Sequence, residues 1–135
     1  MDGRDPLSPD EYILRRITAC KFDPKSKFPI PPDYFHPRSQ DEDGISFYQE
    51  HVTTPEALAE CSNKHGWLIA RIRVSELREI GLNPMPTGPD GHVSLPELSY
   101  ANSKSNRDGT DILKNKLASL AAKRIVLRTE PKPPG

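Results

Sequence analysis

The placement of proline is the strongest constraint that this sequence puts on its fold. Five of the 15 prolines lie in residues 22–43, at positions 24, 29, 31, 32 and 37. Because proline has a fixed φ and no backbone N–H, this spacing excludes a helix interior and a central strand. An irregular segment this long is uncommon in a compact domain and is usually either functional or disordered.

The same segment carries several aromatic side chains. They are Phe22, Phe28, Tyr34 and Phe35. Disordered segments are usually poor in aromatic residues. We therefore expect residues 22–43 to be ordered and to wrap the core through these rings.

Alternating apolar patterns predict short strands elsewhere in the chain. The predicted strands are residues 12–17, 45–48, 67–74, 92–95 and 125–127. In the first of them Arg15 lies on one face and Arg16 on the other, so neither face is purely apolar.

Start and stop signals predict three helices between these strands. Thr54-Pro55-Glu56 is typical of a helix start, and this helix is expected to pass Cys61 and to stop near His65-Gly66. Ser75 is expected to cap a second helix over 76–80. The last helix is expected to begin near Thr110, after a polar and mobile stretch over 99–109. Its predicted core stripe is Leu113, Leu117, Leu120 and Ala121, with Lys114 and Lys116 facing away.

These elements predict an α+β fold. We expect a small, mostly antiparallel sheet of four to five short strands with about three helices and long proline-rich loops, because no regular βαβ rhythm is present. The chain of 135 residues fits one domain. We expect a flexible lead-in over 1–11, a single domain over 12–127 and a disordered proline-rich tail over 128–135.

Charge and targeting signals favour a soluble protein of the cytoplasm. Basic and acidic residues balance at 19 each, and residues 67–135 carry 11 of the bases against 7 of the acids. Cys20 and Cys61 do not form a disulfide framework, so both thiols are expected to be reduced. The N-terminus lacks the apolar region of a signal peptide, and no window approaches a membrane span.

Motifs for metal, nucleotide and hydrolase chemistry are absent from the sequence. No two histidines stand four apart, no glycine-rich phosphate loop is present, and no Gly-x-Ser-x-Gly occurs. We therefore predict no metal and no cofactor. His92, which follows a glycine turn, is the one histidine kept as a candidate binding residue.

Two functional hypotheses follow from the residues themselves. The leading one is a small non-enzymatic interaction or accessory protein that binds a protein partner, with Tyr34 and Phe35 in the binding surface. The other is a nucleic-acid-binding module in the basic second half, with Arg71 and Arg73 contacting phosphates. Aromatic residues that could stack on bases are scarce there, since only Trp67 and Tyr100 occur.

A third hypothesis rests on a resemblance. A first-strand arginine (Arg15 or Arg16), then Ser46 in Gly-Ile-Ser-Phe-Tyr, then Glu97 in Pro-Glu-Leu, resembles the order found in compact ADP-ribosyltransferase-like domains and their inactive relatives. The resemblance spans roughly residues 12–100. It implies that the arginine holds NAD, that Ser46 supports it, and that Glu97 stabilises the cationic transition state. Leu95 departs from the Gln or Glu of arginine-modifying members. Whether the chain is an enzyme is left open by the sequence.

Overall fold

The computed structural model describes residues 7–19, 22–59, 66–87 and 91–129. These ranges contain one six-stranded antiparallel sheet with the strand order β4–β5–β2–β1–β3–β6. The strands are β1 (Tyr12–Thr18), β2 (Ile45–Gln49), β3 (Trp67–Arg73), β4 (Met85–Pro86), β5 (His92–Leu95) and β6 (Ile125–Arg128). The predicted α+β fold with an antiparallel sheet is confirmed.

The helices are short except for the last. They are α1 (Pro55–Leu58), α2 (Val74–Glu79), α3 (Tyr100–Ser105) and α4 (Arg107–Lys123). The Thr54 hydroxyl caps α1 by accepting from the Ala57 N–H, as the sequence predicts. The predicted end of α1 near Cys61 and His65 lies outside the described residues.

Most of the stretch over 99–109, predicted as polar and mobile, is helical. Ser99 accepts from the Asn102 N–H and starts α3, and Asn106 accepts from the Gly109 N–H and starts α4. Each polar residue therefore satisfies a backbone donor that the first helical turn leaves free. The last helix begins at Arg107, three residues earlier than predicted.

The main hydrophobic core lies on one face of the sheet. Ile13 and Ile17 of β1 and Leu68, Ala70 and Ile72 of β3 point into it. Helices α2 and α4 also contribute to this cluster, together with the proline-rich segment. On the second face a smaller cluster of Leu14, Leu58 and Ile69 brings α1 against the sheet. Among the helices of the described ranges, none is long and apolar enough to cross a membrane.

The proline-rich segment packs on the core through its rings, as predicted. Ile30 and Phe35 are fully buried, and Phe22, Phe28 and Tyr34 pack against the same cluster. Burying a side chain such as Phe35 stabilises the fold by roughly 1.5–3 kcal/mol. The segment therefore forms part of the domain's core.

Residues near both ends of the described chain contact the domain. Leu7, expected in a flexible lead-in, is buried in the core, and its carbonyl accepts a hydrogen bond from Arg78 at 2.8 Å. Arg128, expected in the tail, is the last residue of β6. Residues 1–6 and 130–135, and Cys20, lie outside the described ranges.

Candidate functional site

Arg15 places a cation on the apolar face of the sheet. The alternation of β1 puts its side chain on the same face as Ile13 and Ile17. Its cross-strand neighbour on β3 is Ala70, whose small side chain leaves room for a long one. The sequence places this arginine at a core-facing position, and the fold gives it space there.

Three aromatic rings surround the guanidinium of Arg15. Its central carbon lies 5.6 Å from the ring centre of Tyr34, 5.3 Å from that of Phe35 and 5.5 Å from that of Phe47. Such distances are typical of cation–π contacts. The proline-rich segment supplies two of the rings and β2 the third, so packing fixes the position of the charge.

The hydrogen bonds of Arg15 are made to neutral carbonyl groups. Nη1 donates to the carbonyl of Ser46 at 2.8 Å, and Nη2 donates to the carbonyl of Tyr34 at 3.4 Å. Nε is buried and has no acceptor within the described residues. Burial lowers the pKa of Arg15, and the nearby Tyr34 and Asp41 only partly oppose this effect. No ion pair with Arg15 occurs in the part of the chain that the structure describes.

A pocket of about 610 Å³ opens at Arg15. Its lining is mainly polar and comes from β1 and the proline-rich segment: Arg15, Thr18, Pro31, Asp33, Tyr34, His36, Arg38, Gln40 and Asp41. Pockets of this size are large enough for a small ligand or for a side chain of a partner.

The two carboxylates of this pocket already have partners. Asp33 Oδ1 lies 3.0 Å from Lys114 Nζ, and Asp41 Oδ2 accepts from the Arg38 N–H at 2.8 Å. The Lys114 ammonium, which donates a hydrogen bond, lowers the pKa of Asp33. Asp33 therefore compensates Lys114, whereas Asp41 bonds to a neutral main-chain N–H and attracts Arg15 only from a distance. Among the described residues, no carboxylate forms an ion pair with Arg15.

Lys114 corrects a prediction made for the last helix. It was expected to face away from the core stripe, yet it is buried on the same side of α4 as Leu117 and Ala121. Its ammonium lies 3.0 Å from Asp33 Oδ1, from Asp111 Oδ1 and from His36 Nδ1. Because its charge is paired at this depth, a lysine can occupy a core position.

A second pocket adjoins the first. It shares Asp33, His36 and Arg38 with the Arg15 pocket and is completed from α4 by Arg107, Asp111 and Lys114. The charged groups of α4 and of the proline-rich segment thus meet along one surface.

Ser46 and His92 meet on the second face of the sheet. Ser46 Oγ lies 2.9 Å from His92 Nε2, and His92 Nδ1 lies 2.8 Å from Thr87 Oγ1. Thr87 Oγ1 also lies 2.8 Å from Ser94 Oγ. The ring of Tyr48 packs edge-on against the imidazole, with ring centres 5.5 Å apart. The structure therefore joins two residues that the sequence analysis placed in separate hypotheses.

The remaining predicted arginines make contacts within the fold. Arg16 lies over the ring of Trp67 at 5.2 Å. Arg71 pairs with Glu50 at 2.9 Å and lies 3.7 Å from the ring centre of Tyr12. Arg73 pairs with Asp10 at 3.2 Å. These guanidinium groups are engaged with side chains of the chain itself, which weakens the argument for a phosphate-binding groove on β3.

The residues of the ADP-ribosyltransferase resemblance are only partly brought together. Arg15 contacts the main chain of Ser46. Glu97 instead accepts a hydrogen bond from the Asn83 N–H at 3.0 Å and lines a different pocket, formed with α3 and α4. The NAD-dependent activity that the resemblance implies stays a prediction.

Tyr34 and Phe35 contribute to the site in a way that the sequence analysis missed. Phe35 is fully buried and so cannot itself touch a partner. Tyr34 is half-buried, and its hydroxyl accepts from the Thr18 N–H at 3.0 Å. Both rings act by holding Arg15. The sequence does not predict Asp33, His36 and Arg38 as site residues, because only the fold brings them together with Lys114.

Comparison of the chain with protein-family models, with curated proteins and with solved structures finds no match. Within the ranges that the structure describes, no group of three or more histidine, cysteine, aspartate and glutamate side chains could hold a metal ion. The site is therefore interpreted from its own geometry.

Proposed function

We propose that this chain is a binding module and that its Arg15 pocket receives an anionic group, a carboxylate or a phosphate, carried by a protein partner. The observation behind the proposal is the environment of Arg15. It is a desolvated guanidinium held by rings and carbonyls, with no carboxylate of the described chain in ion-pair contact.

Electrostatics favours an anion at this position. Removing a cation from water is costly unless a counter-charge compensates it. Neutral carbonyls and ring faces offset only part of that cost, and among the described residues Nε of Arg15 has no acceptor. An anion that enters the pocket supplies the missing counter-charge in surroundings where screening by water is weaker.

Preorganisation supports the same conclusion. The contacts to Tyr34, Phe35 and Phe47 fix the guanidinium before any ligand arrives. A flexible surface arginine must lose rotamer freedom on binding, whereas Arg15 has already lost it on folding. Arg38, exposed at the edge of the same pocket, adds a second positive charge at the entrance.

A protein partner fits the open and polar character of the pocket. Arginine is well suited to phosphate and carboxylate recognition because two of its parallel N–H donors can bind two oxygens of either group. A phosphorylated or acidic side chain presents such a group on a short stem. Binding requires no chemical step, so the proposal does not depend on any catalytic residue.

The test compares three short glycine–serine peptides that carry phosphoserine, aspartate or serine at the centre. We expect the phosphoserine peptide to bind most tightly by calorimetry and the serine peptide to bind weakest. Arg15→Lys should weaken binding of the phosphoserine peptide about tenfold, because a lysine cannot keep the bidentate geometry. Arg38→Ala should weaken it several-fold, by roughly 1 kcal/mol.

Arg16→Lys is the matched control, because Arg16 lies on the opposite face of the same strand. It should leave peptide affinity unchanged. Equal affinity for the phosphoserine and serine peptides would overturn the proposal, as would an Arg15→Lys variant that folds normally and binds like the wild type.

A further inference from the structure

The second face of the sheet carries a hydrogen-bonded network of Ser46, His92, Thr87 and Ser94 that the proposed binding function does not use. Antiparallel pairing sets Ser46 of β2 opposite Ser94 of β5, and Tyr48 opposite His92. Side chains at these positions alternate with the buried Phe47, Val93 and Leu95 and so point away from the main core. The side chain of Arg15 lies on the other face and contacts only the main chain of Ser46, so the two sites use different side chains.

The distances between Ser46, His92 and Thr87 match those between a nucleophile, a base and a group that orients the base. Ser46 Oγ is 2.9 Å from His92 Nε2, which is within reach for proton transfer. His92 Nδ1 is 2.8 Å from Thr87 Oγ1, so a third residue fixes the plane of the imidazole. A hydroxyl nucleophile beside a base that is itself oriented is the common arrangement of covalent catalysis.

The direction of the hydrogen bonds between these four side chains decides whether His92 can accept a proton from Ser46. Thr87 Oγ1 lies between His92 Nδ1 and Ser94 Oγ, at 2.8 Å from each. A hydroxyl both accepts and donates, so Thr87 can accept from an Nδ1–H while it donates to Ser94. In that tautomer Nε2 has a free lone pair that accepts the Ser46 proton. The reverse direction would make Nε2 a donor and Ser46 a poor nucleophile.

We propose that Ser46 is a reactive serine, activated by His92, that accepts an acyl group from an activated ester. Oγ of Ser46 forms a bond to the carbonyl carbon, and the bond from that carbon to the leaving oxygen breaks. The Ser46 proton passes to Nε2 of His92 and then to the leaving oxygen, which is the phenolate of an aryl ester, so atoms and charge balance. Both residues are only half-buried, which leaves them accessible to a reagent.

The experiment treats the full chain with p-nitrophenyl acetate, quenches it in acid and locates acetyl groups by peptide mass mapping. We expect one main acetylated site, at Ser46. Ser46→Ala should abolish it. His92→Gln keeps a hydrogen-bonding group but no base, and should slow acetylation at least tenfold, since general-base catalysis contributes about 10²–10⁴.

Ser119→Ala is the control, because Ser119 is exposed on α4 and donates a hydrogen bond to the carbonyl of Asn115 in its own helix. Its acetylation pattern should equal that of the wild type. Nitrogen-15 NMR of the wild type reports which ring nitrogen of His92 carries the proton. We expect the proton on Nδ1. The proposal is wrong if the proton lies on Nε2, if Ser46 of the wild type is not acetylated, or if a folded His92→Gln variant reacts as fast as the wild type.

Discussion

The ammonium of Lys114 lies 3.0 Å from the carboxylate of Asp33, a residue 81 positions earlier in the chain. The two residues of this ion pair differ in environment. The Lys114 side chain is 5% exposed, whereas the Asp33 side chain is 93% exposed. The pair therefore joins the proline-rich segment to α4 at the surface while the lysine stem packs inside.

Lys114→Ala should lower the free energy of unfolding by about 2 kcal/mol, measured by urea denaturation. The variant loses the packing of the stem and the contacts of the ammonium with Asp33, Asp111 and His36. Lys116→Ala, on the exposed side of the same helix, should change stability by no more than about 0.5 kcal/mol. Equal effects of the two variants would contradict this account of Lys114.

Glu76 should make stability depend on pH in a defined direction. The hydrogen bond from Arg124 is the main cause that lowers the pKa of Glu76, the Arg73 N–H adds to it, and burial acts in the opposite sense. Because the folded pKa is below the unfolded value of about 4.3, the stabilisation is full above that value. It is lost as the pH falls through the folded pKa.

Glu76→Gln should therefore be less stable than the wild type by about 1 kcal/mol at pH 7, and the difference should vanish in strong acid. Urea denaturation over a pH series measures both. The control is Glu79→Gln, an exposed residue of the same helix. A difference that stays constant over the whole pH series would show that the carboxylate charge of Glu76 is not the cause.

Gly44 and Gly81 offer a matched pair of substitutions. Both have a positive φ, of 111° and 96°. A Cβ on Gly44 would lie 1.9 Å from the carbonyl oxygen of Leu95, whereas at Gly81 its nearest neighbour would be Leu113 at 3.9 Å. Gly81→Ala should cost about 1 kcal/mol from backbone strain alone, and Gly44→Ala well over 3 kcal/mol, because β2 and β5 must also separate. Thermal unfolding that ranks the two variants equally would contradict the close approach at Gly44.

The sequence predicted those parts of the fold that depend on local patterns. The strand from Trp67 and the one from His92 follow from alternation, and the cap at Thr54 follows from its hydroxyl and the proline after it. Over 99–109 the polar composition predicts a mobile stretch, whereas the structure has α3 and the first turn of α4. Ser99 and Asn106 are capping residues, and that signal was present in the sequence.

The candidate site was harder to predict because it depends on contacts between distant residues. The sequence gives Arg15 and Arg16 as alternatives, and nothing in β1 shows that rings from Tyr34, Phe35 and Phe47 surround Arg15. Lys114 falls on the apolar stripe of α4, where its ammonium pairs with Asp111 of the same helix and, across the fold, with Asp33. The distant partner is the one that the sequence does not indicate. Such partners are set by tertiary packing and leave no short-range pattern.

The most direct measurement of the central claim is the NMR signal of the Arg15 Nε–H during a titration with inorganic phosphate. This buried donor has no acceptor within the described chain, so its signal reports on the counter-charge in the pocket. We predict a saturable shift of the Arg15 signal that is larger than that of Arg16, on the opposite face, and that is lost in high salt. An Arg15 signal that stays unchanged while phosphate is raised to tens of millimolar would contradict the claim that this pocket binds anions.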